Sequence, residues 1–218
     1  LGGTLDNLPD NGIYFFYEKE EFWGHDRNKP RIVHVGTNRS DNFFKKRIQN
    51  HYIPNEKLTN FTDKTPKPSD SSILRKNIGY ALLAKDKDPY ARTWNIRFTG
   101  IENRENFGRL RDIGKEKNIE KQISNILQND FYFRFVEINK KDLRDGEHGL
   151  KESIIRTLAL CNSCKYSSNW LGQYANIKGN KLWQTDLYTK NKPLNNENWK
   201  ILINAIETTS QKYSKKSL

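Results

Sequence analysis

Gly12-Ile13-Tyr14-Phe15-Phe16-Tyr17 and Arg31-Ile32-Val33-His34-Val35-Gly36-Thr37 are the stretches on which the fold turns. Both are short runs rich in β-branched and aromatic residues, a composition suited to a half-buried pleated surface. Between them Glu18 to Pro30 is polar and charged, with Gly24, Asn28 and Pro30 as turn residues, so the pair reads as a long hairpin. On neighbouring strands the Tyr14 phenol and the His34 imidazole come side by side if the register allows. A basic helix is predicted next, over Asn42 to Tyr52 (NFFKKRIQNHY), with Phe44 and Ile48 at helical spacing and Arg47 and His51 one turn apart. A phenol, two imidazoles and a guanidinium gathered in one segment point to phosphate chemistry.

Beyond this helix, residues 53–72 read as loop, with three prolines and no periodicity. Ser71 or Ser72 caps a helix over Ile73–Lys85, whose stripe is Ile73, Ile78, Ala81 and Leu82. Arg92 to Gly100 alternates as a strand does, with Trp94, Ile96 and Phe98 on one face. Further elements are a helix from about Asn118 to Leu127, a strand over Phe131–Ile138 and a helix over Leu150–Leu160. Residues 176–190 read as short extended pieces, and Asn195 to about Tyr213 as a terminal helix ahead of basic residues. This order predicts an α/β (α+β) chain with a small antiparallel sheet flanked by helices.

The 218 residues suit one sizeable domain, and 12% aromatic content argues against disorder despite a mean hydropathy of -0.93. No run approaches the length of a membrane span, the opening residues lack a signal-peptide pattern, and two cysteines make no disulfide framework. A cytoplasmic protein that does not insert into membranes is the expectation. The net charge of +12 is unevenly spread. Residues 1–30 carry three basic and six acidic groups, residues 31–130 twenty and twelve, and residues 131–218 fifteen and eight. A field of this sign favours a polyanion through counterion release and faster encounter.

Each candidate has a plainer reading when taken alone. A tyrosine on an amphipathic strand is ordinarily packing, and a histidine flanked by Val33 and Val35 is ordinarily a satisfied structural one. Lys45, Lys46 and Arg47 equally make a solvated basic face. Cys161-Asn162-Ser163-Cys164 is a CxxC for which redox or zinc use comes to mind. No second pair exists, however, and Cys161 continues the apolar face of Ile154 and Leu158, so structural burial is the expectation.

Taken together, Gly12-Ile13-Tyr14, His34-Val35-Gly36, Arg47 and a later acidic residue resemble the GIY-YIG endonuclease family. The first triplet is literal; in the second, His34 and Val35 stand where the family has Tyr and Ile. His51, four residues past Arg47, looks like the Arg-x-x-x-His arrangement of the restriction-enzyme branch. Glu152, on the helix after the Phe131–Ile138 strand, occupies the place of the family glutamate, and Asn169 or Asn162 that of its asparagine. The resemblance implies a single nuclease domain over 1–218, with a core at 12–52 and 131–172, an insertion at 53–130 and a C-terminal extension at 173–218.

For this chemistry the resemblance implies one Mg²⁺ or Mn²⁺ ion per active site, held by Glu152, with waters completing its shell. Tyr14, partnered by His34 or His51, would orient or deprotonate the attacking water. A phenol ionises near pH ~10 in water, so such a base needs a neighbouring cation. Arg47 would bind the scissile phosphate and Asn169 would position the glutamate or a metal water. Lys45, Lys46, Arg75 and Lys76 are expected to meet DNA, with Arg92, Arg97, Arg109 and Arg111 as further donors. The expected activity is metal-dependent cleavage of double-stranded DNA, by a type II restriction enzyme working as a homodimer. A mobile-element or repair nuclease, or a catalytically silent nucleic-acid binder of the same fold, are the alternatives.

Overall fold

A computed structural model describes residues 7–52, 60–146, 149–175, 182–184 and 192–214. The strands are β1 (Gly12–Trp23), β2 (Asp26–Thr37) and β3 (Phe131–Glu137). The helices are α1 (Phe44–Tyr52), α2 (Ile73–Lys85), α3 (Ala91–Trp94), α4 (Ile101–Phe107), α5 (Ile113–Asp130), α6 (Lys141–Arg144), α7 (Leu150–Leu160) and α8 (Asn196–Ser214). The chain divides into two compact units: Leu1–Arg47 with Tyr132–Lys165 and Asp186–Leu218, and Ile48–Phe131 with Tyr166–Thr185. Most of residues 176–190, expected as extended pieces, lie outside the described residues. Among the described residues no helix is long and apolar enough to cross a membrane.

The first unit is built on an antiparallel sheet of order β2-β1-β3, the predicted class. Its hairpin is longer than the apolar runs suggest: Glu18 to Pro30 is not a loose connection but continues both strands, leaving a tight turn at Gly24-His25. The reason is a buried ion pair. Arg31 donates from Nε to Glu21 Oε2 at 3.0 Å and from a terminal nitrogen at 2.5 Å, and both residues are buried. A charge pair satisfied by two donors on one carboxylate oxygen can occupy a ladder where hydropathy alone shows a break. Glu20 takes the left-handed backbone (φ 66°) where the register shifts.

Asn38 latches the start of the hairpin. Its Oδ1 accepts the Gly12 N–H at 3.2 Å while its amide nitrogen donates to Asn11 Oδ1 at 2.7 Å and to the Ser40 carbonyl at 2.8 Å. Asn11 Oδ1 in turn accepts the Asn42 N–H, and the Phe44 N–H bonds the Asp10 carbonyl, so entry to α1 is tied to entry to β1. At the other edge α8 seats on β3. Thr209 Oγ1 accepts the Glu137 N–H at 3.0 Å, Lys212 pairs with the Glu137 carboxylate and the Tyr213 ring meets Phe135 edge-on.

The second unit is mostly helical. Ser72 caps α2 by accepting the Arg75 N–H, and Asp112 caps α5 by accepting the Lys115 N–H, each filling an orphan donor of a first turn. The strand expected over Arg92–Gly100 is absent; Ala91–Trp94 is a helical turn followed by bends. Trp94 and Phe98 are both fully buried, Ile96 is less so, and the Trp94 indole N–H donates to the Lys76 carbonyl at 2.9 Å. The alternation was real in sequence, but the two deepest side chains are four apart, the spacing of a turn of helix. The Lys67 ammonium sits over both rings and is paired with Asp70 at 3.2 Å. Two further buried pairs hold the unit, Arg75–Glu120 and Arg111–Glu116.

Candidate active site

The register sets the geometry. Tyr14 lies opposite Gly36, and His34 lies opposite Phe16, so His34 is diagonal to Tyr14 rather than directly beside it. All four share one face of the sheet. The rings of Tyr14 and His34 are 6.2 Å apart, and Phe16 and Phe44 meet Tyr14 edge-on at 5.5 and 5.8 Å. Gly36 makes the arrangement possible: a Cβ there would lie 2.3 Å from both the ring carbon Cζ and the hydroxyl of Tyr14. The Tyr14 ring therefore lies flat across Gly36, and the glycine of the second triplet is required by that close approach.

Packing of the Tyr14 ring leaves its hydroxyl directed to α1. Arg47 donates from Nε to that oxygen at 3.2 Å. Guanidinium is a donor only, so the phenol oxygen is the acceptor in this bond. Arg47 is half-buried, while Lys45 and Lys46 on the same helix are exposed. A phenol and a guanidinium, brought to hydrogen-bond distance on a buried floor, can hold a phosphate oxygen and a water beside it.

Glu152 lies in the first turn of α7, which packs on β2, and is largely buried. Lys151 bridges two carboxylates there, with Nζ 2.7 Å from Glu152 Oε1 and 2.6 Å from Asp145 Oδ1. Burial alone pulls the Lys151 ammonium down, but Asp145 and Glu152 outweigh it and hold it above its ordinary value. Burial likewise works against the Asp145 carboxylate, and Lys151 outweighs it in the opposite sense, keeping the carboxyl below its ordinary value. Lys151 and Asp145 escaped the sequence reading because each looks like a surface charge in a polar stretch. The ammonium resting on Glu152 marks a place where this carboxylate accepts a cation, and a hard oxygen donor of this kind fits Mg²⁺ or Mn²⁺.

His51 belongs to the second unit, where it is fully buried with Nδ1 2.8 Å from Ser72 Oγ. Ser72 thus serves both the cap of α2 and the imidazole. Asn169 is exposed in a turn of the second unit, and the alternative Asn162 is exposed on the loop after α7. Arg75 needs correction as a DNA contact: it is wholly buried and its donors are taken up inside the protein. Nε and a terminal nitrogen bond Glu120 Oε2 at 3.1 and 2.6 Å, and others reach the His51 carbonyl and Ser124 Oγ. Arg111 is committed in the same way to Glu116 and to the Thr62, Asp63 and Thr65 carbonyls. Lys76 donates to the Asn95 carbonyl, and burial followed by repulsion from Arg97 and Lys67 lowers its ammonium to about 8. Arg92, Arg97 and Arg109 are exposed.

A three-stranded antiparallel sheet that presents a tyrosine to an arginine on the next helix, with a glutamate on α7, the second helix after β3, has the architecture of a small nuclease domain. The GIY-YIG domain family matches residues 3–212, nearly the whole chain, and the chain belongs to that family. Membership makes it a nuclease, a hydrolase of nucleic-acid strands, in the general sense. No curated protein and no solved structure matches it.

Proposed function

We propose that this protein is a metal-dependent endonuclease that cuts double-stranded DNA, and that it serves as a type II restriction enzyme acting as a homodimer. The observation that carries the reading is the Arg47–Tyr14 hydrogen bond at 3.2 Å on the same unit as Glu152. Bound at Glu152, a divalent cation would supply charge stabilisation for the phosphate and its leaving oxygen. Arg47 holds a non-bridging phosphate oxygen with a fork of donors. Tyr14, its oxygen polarised by Arg47, orients the attacking water or accepts its proton, and the Phe16 and Phe44 rings exclude bulk water from that side. His34 borders the phenol as a second polar group on the same face.

Sequence charge supports the substrate class: residues 31–218 carry thirty-five basic against twenty acidic groups. Exposed Lys45 and Lys46 at the start of α1, near Arg47 in sequence, would meet the backbone flanking the cut. Restriction is favoured by His51 four residues past Arg47, the Arg-x-x-x-His spacing of that branch. Digestion of plasmid DNA with and without Mg²⁺ or Mn²⁺ is the test. Discrete fragments support restriction, a random smear shows a nonspecific nuclease, and no cutting at any metal concentration leaves only the silent nucleic-acid binder.

A further inference from the structure

At the end of the hairpin remote from Tyr14, the turn between β1 and β2 rests on the loop that leaves α7. Gly24 is pressed so close that a Cβ would lie 1.7 Å from the Ser163 carbonyl oxygen and 3.0 Å from the Cys164 nitrogen. This contact delivers the next residue, His25, to the CxxC. His25 Nε2 lies 3.1 Å from Cys161 Sγ, which lies 3.1 Å from Cys164 Sγ. All three donor atoms fall within 4.8 Å of one another, and neither cysteine is in a disulfide. Backbone N–H groups of Ser163 and Cys164 point at the Cys161 sulfur, and that of Gly24 at Cys164. Donors so arranged stabilise thiolate sulfur.

We propose that His25, Cys161 and Cys164 form a zinc site that fastens the hairpin tip to helix α7. Two thiolates and an imidazole are the borderline-soft set that Zn²⁺ takes, and the thiolates neutralise its charge. Tetrahedral Zn–S bonds of about 2.3 Å and Zn–N bonds of about 2.0 Å separate ligand atoms by roughly 3.5–3.8 Å. The 3.1 Å spacings here need only small side-chain rotations to open to that size. Burial grades from Cys164, buried, through Cys161 to exposed His25, so the ion enters from the His25 side. Among the described residues the set stops at three ligands, and water completes the tetrahedron. The ion is structural: it ties the strands that carry Tyr14 and His34 to the helix that carries Glu152, and it stands whether or not the protein cuts DNA.

The test is metal analysis of the full chain, expressed with added zinc and purified under a reducing agent. One zinc per chain is expected, together with a sulfur-to-metal charge-transfer band on Co²⁺ substitution that weakens in Cys161→Ser, Cys164→Ser and His25→Ala. Zinc should also slow alkylation of the wild-type thiols by iodoacetamide about tenfold or more, a readout that needs no variant to fold. Absence of the Co²⁺ band, unchanged alkylation, or a Cys161–Cys164 disulfide in metal-free protein under those conditions overturns the site.

Discussion

Arg47 donates its Nε–H to the phenol oxygen of Tyr14 at 3.2 Å, joining α1 to β1 across the floor of the candidate site. Tyr14→Phe keeps the ring contacts with Phe16 and Phe44 but removes the acceptor. A loss of cleavage rate of ~10²–10⁴-fold is expected, with the circular dichroism spectrum unchanged. Arg47→Lys should lose a comparable factor, because a point charge does not replace the fork. Single-turnover cleavage of plasmid DNA measures both. Wild-type rates in Tyr14→Phe would remove the phenol from the chemistry.

Gly36→Ala drives a methyl group into the Tyr14 ring, since the added carbon meets Cζ and the hydroxyl at 2.3 Å. Overpacking of this kind costs ~1–3 kcal/mol. The displaced hydroxyl should leave Arg47, so activity falls at least as far as in Tyr14→Phe while the protein still folds. A thermal melt alongside the cleavage assay separates the two effects.

Glu152→Gln should abolish metal-dependent cleavage and leave DNA binding, measured by gel shift in Ca²⁺, within about threefold of wild type. Loss of binding together with cleavage would instead give Glu152 a structural role.

The Asp145–Lys151 pair predicts a pH profile for stability. Asp145 is held below its usual 3.8, so its contribution is present above that pH and is lost as pH falls through the folded value. Lys151 is held above its usual 10.5, so its contribution is full below that pH and is lost as pH rises through the folded value. Melting temperatures from about pH 3 to about pH 11 should therefore show a plateau falling at both ends, and Lys151→Met should soften both falls. Identical profiles for the two proteins would count against the pair.

Arg75→Met leaves Glu120 buried without its cation, and removal of one member of a buried pair typically costs ~3–5 kcal/mol. Because Glu120 also accepts the Ser69 backbone N–H and hydroxyl, the loss should spread to the turn before α2. Chemical denaturation reads the change directly. A drop in DNA affinity without a drop in stability would restore Arg75 as a nucleic-acid contact.

By itself the sequence determined the elements with strong periodicity or clear punctuation. Ile73–Lys85 and Leu150–Leu160 are helices at the residues read from their stripes, and the β-rich runs at Gly12, Arg31 and Phe131 are strands of one antiparallel sheet. The signature triplets pointed to the family because they are local. Tertiary structure decided what depends on partners distant in the chain. Glu18–Pro30 became strand because Arg31 satisfies Glu21, and Arg92–Gly100 became the end of a short helical turn followed by bends because Trp94 and Phe98 share one buried pocket with Lys67. Arg75 left the surface because Glu120, forty-five positions on, claims its guanidinium. Cys161, expected to be buried packing, is half-exposed beside His25, 136 positions earlier in the chain. Periodicity reports which face a residue takes; only the folded chain shows which charge or ligand it meets there.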